Sequence, residues 1–310
     1  MWQNPSKPAA GRRASPSPVI PGLVRHSDPA VFFAAAAPLL VRDEAAAAAF
    51  ASWVTALRAH PVPGERAYLA TFAQPGATGA AIQRRDGPVV IESSDPEAAV
   101  AFARDLAEEW PRLQGVVGAP AAVAAFVETW RECTGRGHAL RFRMRHHRLT
   151  DVAVVDVPPG AARVAEPRDA VWLVGAQLSF LAEVRVPDDP ERIRGLVPHR
   201  IARGEYWVWD RGGPVALAGW STAAPDSARI APVYTEPAQR GLGYASALVA
   251  ALAQALLDGG RRRLFLVTDL ANPTSNAIYA RIGFRPLSEF HHVDFTGAGT
   301  APAMSAKGAR

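Results

Sequence analysis

The chain has almost no cysteine and almost no lysine. Cys133 is its one thiol among 310 residues, so no internal disulfide can hold the fold and a disulfide scaffold is excluded. Lysine occurs only at Lys7 and Lys307, so arginine supplies 32 of the 34 basic side chains. Long apolar runs are missing too. The longest, near Val31–Val41, is about a dozen residues and carries Pro38, short of the ~20 that a spanning helix needs. No glycine period exists, which excludes collagen. Residues 1–22 are rich in Pro, Ser, Ala and Arg and lack the apolar core of a secretory leader. They read as a disordered tail, as do residues 297–310. The missing leader and the lone thiol point to the cytoplasm.

What is present is ordinary for a globular chain: 49% hydrophobic and 20% charged residues, enough apolar material for one large core or two smaller ones. The net charge of +5 has two readings, a polyanionic partner or a bias toward Ala, Arg, Gly and Pro without functional content. Arg141-Phe142-Arg143-Met144-Arg145 alternates like a half-buried strand, followed by His146-His147-Arg148. It fits a solvated or interdomain sheet face better than a nucleic-acid surface. Arg261-Arg262-Arg263 follows a helix end, where positive charge is favourable. His291-His292 would face opposite ways on a strand, with no ligand pattern around it, so no metal is expected.

Punctuation residues place the elements. In the first half, helices start at Asp28-Pro29, at Asp43-Glu44 (running to Arg58), at Asp95-Pro96 and at Pro120. Strands are predicted at Tyr68–Phe72, Ala80–Gln83, Val89–Ile91 after an Asp86-Gly87 turn, Val116-Val117 and His138–Leu149. In the second half, Arg163–Glu166, Tyr206–Trp209, Val215–Ser221, Arg229–Thr235, Leu264–Asp269 and Arg285–Phe295 read as strands. Asp169–Glu183, a segment from Asp189-Pro190, Gly243–Leu257 and Ser275–Ile282 read as helices. The two halves run in similar element order without visible sequence repeat.

Two stretches carry chemistry. Val233-Tyr234-Thr235 leads through Glu236, Pro237 and Ala238 into Gln239-Arg240-Gly241-Leu242-Gly243-Tyr244-Ala245. This is a strand, a glycine loop and a helix start. Gly241 and Gly243 free the backbone, and the helix offers unpaired N–H groups at its positive end, a cradle for a diphosphate. Arg240 adds a full charge. A strand–helix turn that needs glycine for geometry alone is the competing reading. No Gly-Lys-Ser/Thr follows, and the third glycine of a dinucleotide fingerprint is Ser246. The second stretch is Asn272-Pro273-Thr274-Ser275-Asn276-Ala277-Ile278-Tyr279, then Gly283-Phe284. Asn272, Asn276 and Tyr279 are expected on one helix face, offering two amides and a phenol, with Ile278 and Ile282 on the core side. A capped helix with a half-buried tyrosine is the plainer alternative.

Both blocks, in this order and about 30 residues apart, resemble the GCN5-related N-acetyltransferase superfamily, and Pro232-Val233-Tyr234-Thr235 with Asn272-Pro273-Thr274-Ser275-Asn276 resembles its FR47-like, glycine N-acyltransferase-related branch. The resemblance covers about residues 161–295. It implies an α/β (α+β) fold with a mixed, mostly antiparallel twisted sheet and flanking helices, in a domain spanning 158–296. Residues 23–157 would form a degenerate copy without a coenzyme site. It also implies acetyl-CoA, or another short acyl-CoA, as co-substrate, with no metal. Val233, Tyr234, Thr235, Gln239, Arg240, Gly241, Leu242, Gly243, Tyr244, Ala245, Asn272, Ser275, Asn276 and Tyr279 would hold it.

On that reading the strands Arg229–Thr235 and Leu264–Asp269 splay, the pantetheine arm adds to the free strand edge, and Tyr279 protonates the leaving thiolate. Asp269, Glu183 and Glu236 are candidates for the base, with Glu183 and Asp269 ahead, and a water chain is an equal alternative. The acceptor would be a small-molecule or peptide amine, the chain a monomer or homodimer, with neither nucleic acid nor membrane as partner. Two other readings stand beside it: an acyl-CoA-binding sensor without catalysis, and an arginine-rich nucleic-acid binder.

Overall fold

A computed structural model of the chain describes residues 20–40, 50, 67–84, 87–93, 95–110, 112–186, 188–224 and 226–297. The first half supplies β1 (Leu23–Arg25), α1 (Pro29–Leu40), β2 (Ala67–Gln74), β3 (Ala77–Arg84), β4 (Val89–Ser93), α2 (Pro96–Glu109), β5 (Gly115–Gly118), α3 (Pro120–Thr134) and β6 (Gly137–Leu149). The second supplies β7 (Ala161–Val164), α4 (Ala170–Glu183), α5 (Pro190–Ala202), β8 (Tyr206–Asp210), β9 (Pro214–Ala224), β10 (Ser227–Thr235), α6 (Tyr244–Asp258), β11 (Arg263–Asp269), α7 (Pro273–Ile282) and β12 (Arg285–Thr296). Among the described residues the halves run in the same order, except that two full helices, α4 and α5, stand between the first strands of the second half where the first half shows α1. The second helix expected in the first half, Asp43–Arg58, and Asp86 of the predicted turn lie outside the described residues; Phe50 alone is described there, helical and buried.

The helix starts follow from their caps. Asp95 accepts from the Glu97 amide at 2.8 Å and Asp189 from the Glu191 amide at 2.9 Å, each with Pro in the first turn. Strand β1 escaped the sequence reading because three residues cannot show a period. It follows Gly22, whose positive φ of 85° suits glycine. The tail expected over 1–22 ends earlier: the Pro21 carbonyl accepts from Gln74 and the Gly22 carbonyl from the Ala73 amide, so residues 20–22 are tied to β2. Residues 1–19 and 298–310 are not described.

Among the described residues the strands form one sheet, ordered β1-β2-β3-β4-β5-β12-β6-β11-β10-β9-β8-β7. Pairing is antiparallel except at β4–β5 and β10–β11. The alternation of strand side chains sorts the helices into two layers. In the second half, Ala228 and Ile230 of β10 and Trp209 of β8 pack with α6, whereas Tyr206, Val208 and Tyr234 pack with α4 and α5. In the first half, Tyr68, Ala70 and Phe72 face α2 and α3, whereas Leu69, Ala80 and Ile82 face Phe32 of α1 and Phe50.

The last strand of each half is inserted beside the other half. β6 lies between β12 and β11, and β12 lies between β5 and β6. A cut at 157/158 therefore separates the helices but not the strands. The arginine-rich stripe of β6 lies within this exchange. Arg141 pairs with Asp294 at 3.4 Å, Arg145 with Glu289, and His146 Nδ1 lies 3.1 Å from Ser288 Oγ. These charges are answered across the β6–β12 ladder, as expected of a sheet face.

The exchange carries apolar load. Phe295, from the last strand, stacks on Trp130 of α3 at 4.9 Å between ring centroids and on Phe126 at 6.2 Å. Phe295→Ala should destabilise this core by ~3–5 kcal/mol, read as a lowered urea midpoint followed by Trp fluorescence. An unchanged midpoint would show that β12 does not support the first half.

Candidate functional site

The site begins where a strand pair stops. β10 and β11 run parallel for three rungs, Ser227↔Arg263, Ala228↔Leu264 and Arg229↔Phe265, and then separate. β10 continues against β9 to Thr235↔Ala216, and β11 continues against β6 to Asp269↔Met144. Each strand thus keeps its outer partner and loses the inner one. A bulge in β10 between Ile230 and Val233 accompanies the divergence. Gly219 of β9 makes room for it: a Cβ there would lie 2.8 Å from Pro232 Cδ and 2.9 Å from the Ala231 carbonyl.

Above the opening lies a cleft of about 530 Å³. It is lined by Val233, Tyr234 and Thr235 of β10, by Gln239, Arg240, Gly241 and Gly243 of the loop, and by Tyr244, Ala245 and Ser246 of α6. Glu183 from the end of α4 and Asn272, Thr274, Ser275, Ile278, Tyr279 and Arg281 from the α7 region complete it. Gly241 and Gly243 have φ of 79° and 85°, conformations that favour glycine. Gly243 caps α6 with no side-chain acceptor, so the first-turn amides are left to a ligand or solvent. The Thr235 hydroxyl oxygen is buried without a hydrogen-bond partner. Arg240 donates from Nε to the Thr235 carbonyl at 3.0 Å and pairs with Glu183.

Most of the predicted loop residues meet in this cleft, but three predicted residues do not line it. Leu242 points outward, half exposed. Asn276 turns toward the sheet: its amide nitrogen donates to the carbonyls of Asp269 (3.1 Å) and Asn272 (2.8 Å), and its oxygen accepts from Thr268 at 2.6 Å. Asp269 accepts from the Ala271 amide at 2.9 Å and closes a local turn. The Asn272 side chain accepts from the Ser275 amide at 3.0 Å and caps α7. The α7 region thus meets the cleft through Asn272, Thr274, Ser275, Ile278, Tyr279 and Arg281, with Asn276 turned away. Ile278, expected on the core side with Ile282, borders the cleft, while Ile282 is buried. Spacing of i, i+4 and i+7 from Thr274 would have found Ile278 and Arg281, but apolar Ile278 masked it. Tyr244 lines the cleft, yet its hydroxyl accepts from Arg211 at 2.7 Å and its ring lies against Trp209. Glu236, the third carboxylate considered, accepts from Trp172 Nε1.

Tyr279 is the group in the cleft with chemistry to offer. Its phenol makes no hydrogen bond among the described residues, and burial pushes its pKa above the ordinary tyrosine value, which keeps it protonated. Phe284 meets its ring edge-on at 5.9 Å. Gly283, at φ 112°, ends α7 where a Cβ would meet the Asp151 carbonyl at 2.8 Å. The Gly-Phe pair thus closes the helix and wedges the tyrosine.

A buried chain of hydrogen bonds locks α7 to the sheet. Thr268 gives its proton to Asn276, so its oxygen accepts from His147 Nε2 at 2.9 Å. His147 Nδ1 is buried without a partner, and burial, with Arg145 nearby, pushes its pKa down. The folded protein therefore holds this imidazole neutral. The unfolded chain binds its proton near pH 6.5, so stability is retained above that pH and is lost as pH falls toward the lower folded value. Melting temperatures between pH 7.5 and 5.0 should decline less steeply in His147→Gln than in the parent; parallel declines would place the loss elsewhere.

Among the described residues no helix is long and apolar enough to cross a membrane, which says nothing of a β-barrel. The FR47-like family profile matches residues 209–293, the stretch that contains β10, the glycine loop, α6, β11 and α7. Solved structures share the architecture at low identity. A GCN5-related N-acetyltransferase from Sphaerobacter thermophilus superposes with a TM-score of 0.63 at 16% identity, covering 91% of this chain and 97% of that one. A Drosophila protein gives 0.59 at 15% identity over 89% and 99%. A GCN5-related N-acetyltransferase from Kribbella flavida gives 0.50 at 18% over 81% and 96%. No curated protein sequence matches the chain. The glycine loop and most of the cleft fall on the stretch that the FR47-like profile matches, residues 209–293, and the chain has the fold of solved GCN5-related N-acetyltransferases.

Proposed function

We propose that the chain is an N-acetyltransferase, or short-chain N-acyltransferase, that moves an acyl group from coenzyme A to a primary amine by direct transfer while both are bound. One observation carries this: the open α6 amides, the buried and unpartnered Thr235 hydroxyl and the unbonded Tyr279 phenol share one cleft above splayed strands. The donor set fits the coenzyme. The amides of Tyr244, Ala245 and Ser246, with Arg240, suit a pyrophosphate. The free inner edge of β10 suits an amide-bearing arm that adds as a strand, with Thr235 Oγ1 as a further hydrogen-bonding group. The thioester, when bound, supplies an acyl group already activated for attack by an amine.

The residues then have distinct tasks. A backbone N–H of β10 near Val233 polarises the acyl carbonyl. Tyr279 hands its proton to the departing sulfur, a role suited to a phenol kept neutral by burial. Of the carboxylates considered, Glu183 alone borders the cleft, so it is the preferred base for the amine. Cys133 lies on α3, in the first half, which disfavours a cysteine acyl-enzyme. The first half, residues 23–157, is read as a wall and a structural support for the second.

Coenzyme A should raise the melting temperature, and Arg240→Ala should weaken its binding by roughly 10-fold or more, the loss of a charge-assisted contact. Tyr279→Phe should lower kcat with acetyl-CoA by ~10²-fold or more while coenzyme binding holds. A melting temperature indifferent to coenzyme A would sink the coenzyme assignment. A coenzyme-dependent shift without turnover on amino acids, polyamines, peptides or aminoglycosides would favour the sensor.

A further inference from the structure

The end of α4 is built on an arginine where glycine is usual. Helix α4 stops at Glu183, and the next residues close it. The Val186 amide donates to the Leu181 carbonyl at 3.0 Å, and the Arg185 amide to the Ala182 carbonyl at 3.2 Å. This bond pair is the Schellman stop, which puts the second residue past the helix in the left-handed region. That residue is Arg185, with φ of 54°, the one residue other than glycine with a positive φ among those described. A β-carbon makes the conformation costly, so it persists where the surroundings hold it. Packing does not hold it on one side, where a cavity of about 350 Å³ lies against Leu178, Leu181, Ala182 and Val186.

What holds it comes from the other half of the chain. Arg141 of β6 donates from one guanidinium nitrogen to the Arg185 carbonyl. Its other terminal nitrogen pairs with Asp294 of β12 at 3.4 Å. Its guanidinium carbon lies 5.3 Å from the centre of the Phe142 ring. A guanidinium carries its N–H groups in a rigid fork, so one side chain serves a carbonyl and a carboxylate together. The clamp thus runs from the exchanged strands β6 and β12 to the turn that ends α4.

Two residues before Arg185 stands Glu183, which borders the cleft and pairs with Arg240. Over residues 178–186, two side chains from outside the helix make polar ties among the described residues: Arg240 to Glu183 and Arg141 to Arg185. On the function proposed above, on which this inference rests, Arg240 turns to the pyrophosphate when coenzyme A binds, and the first tie is released. The second stays, since neither Arg141 nor Asp294 lines the cleft. We propose that Arg141 is a positioning residue. By holding the Arg185 carbonyl it keeps the end of α4, and with it the Glu183 carboxylate, beside the gap once Arg240 has been given up to the coenzyme. The first half of the chain then serves the reaction through a contact that touches neither substrate.

The test is a mutant cycle in the full chain, with saturating acetyl-CoA and the best amine. Arg141→Met should lower kcat by roughly 10-fold or more, since moving a catalytic group by about 1 Å is costly, while the melting shift given by coenzyme A persists. Arg141→Lys, which keeps a donor, should recover part of the loss. So should Arg185→Gly added to Arg141→Met, because glycine takes the left-handed turn without help. In a Glu183→Gln background Arg141→Met should cost little more, because both changes remove one function. An unchanged kcat in Arg141→Met overturns the proposal, even with a lowered melting temperature, which is what a merely structural contact gives. So does a full kcat in Glu183→Gln, or a loss from Arg141→Met of the same size in that background. Should Arg141→Met fail to fold, Arg141→Lys alone and in the Glu183→Gln background decides by the same comparison. Should no amine turn over, the acyltransferase reading fails separately. Amide hydrogen exchange at residues 184–186, with and without coenzyme A, then decides the clamp. Exchange should be roughly 10-fold faster in Arg141→Met or Arg141→Lys than in the parent and slow again when Arg185→Gly is added; rates equal to the parent's overturn it.

Discussion

Three rungs of parallel pairing hold β10 to β11, and the rest of the site depends on their stopping there. A sheet interior normally has no free backbone edge, because unpaired N–H and C=O groups cost free energy away from water. Here both strands keep their outer partners, so the opening is supported from both sides and does not propagate. The bulge at Ile230–Val233 needs Gly219 opposite, since a β-carbon there would collide with the bulged backbone. A small residue in one strand thus permits the divergence of the next. That divergence exposes the edge on which an amide-bearing ligand can pair.

The same architecture occurs in the first half with a different outcome at the corresponding helix. β4 and β5 also pair parallel, over Val89↔Val116 and Val90↔Val117, and α2 follows β4 as α6 follows β10. At the start of α2, the Asp95 carboxylate takes the Glu97 amide. At the start of α6, Gly243 has no side chain to do so. A helix end filled by its own carboxylate repels a second anion, whereas an open one attracts it. The exchange of β6 and β12 makes the copy useful in another way. Val293 and Phe295 belong to the core of the first half, so the strand that follows α7 is anchored in a body remote from the cleft. Tyr279 sits on a helix fixed at both ends, through Asn276 to β11 and through Gly283 into β12.

How much of this could be read from residues follows from the range of the forces involved. Caps, turns and the glycine loop are local, and Asp95-Pro96, Asp189-Pro190, Asn272-Pro273 and Gly241–Gly243 announced their elements. The register of the sheet is not local. Nothing in Arg285–Thr296 says that it pairs with β5, so the strand exchange was out of reach. The places of Asn276 and Ile278 on α7 were missed for a related reason. Asn276 looked like a ligand group because amides bind ligands, but its partner Thr268 lies on another strand, and only the packed sheet shows that the amide is already satisfied. Asp269 was misjudged by the same route, its carboxylate being closed on the Ala271 amide. Three-residue β1 was too short to carry a pattern.

The arginine excess, which sequence alone left between compositional bias and function, divides by what each guanidinium meets. Many meet carboxylates of the chain itself, including Arg145 across the exchanged strands and Arg163 at the start of α4. Arg240 meets Glu183 in a pair that is nearly half exposed on both sides. Such pairs are worth only ~0–1 kcal/mol, so on the proposed function a pyrophosphate would displace Glu183 from Arg240 at little cost. A protein can keep an arginine paired for stability, or loosely paired where a ligand will compete. Arg145 and Arg163 are of the first kind, and Arg240, in the loop that follows β10, is of the second.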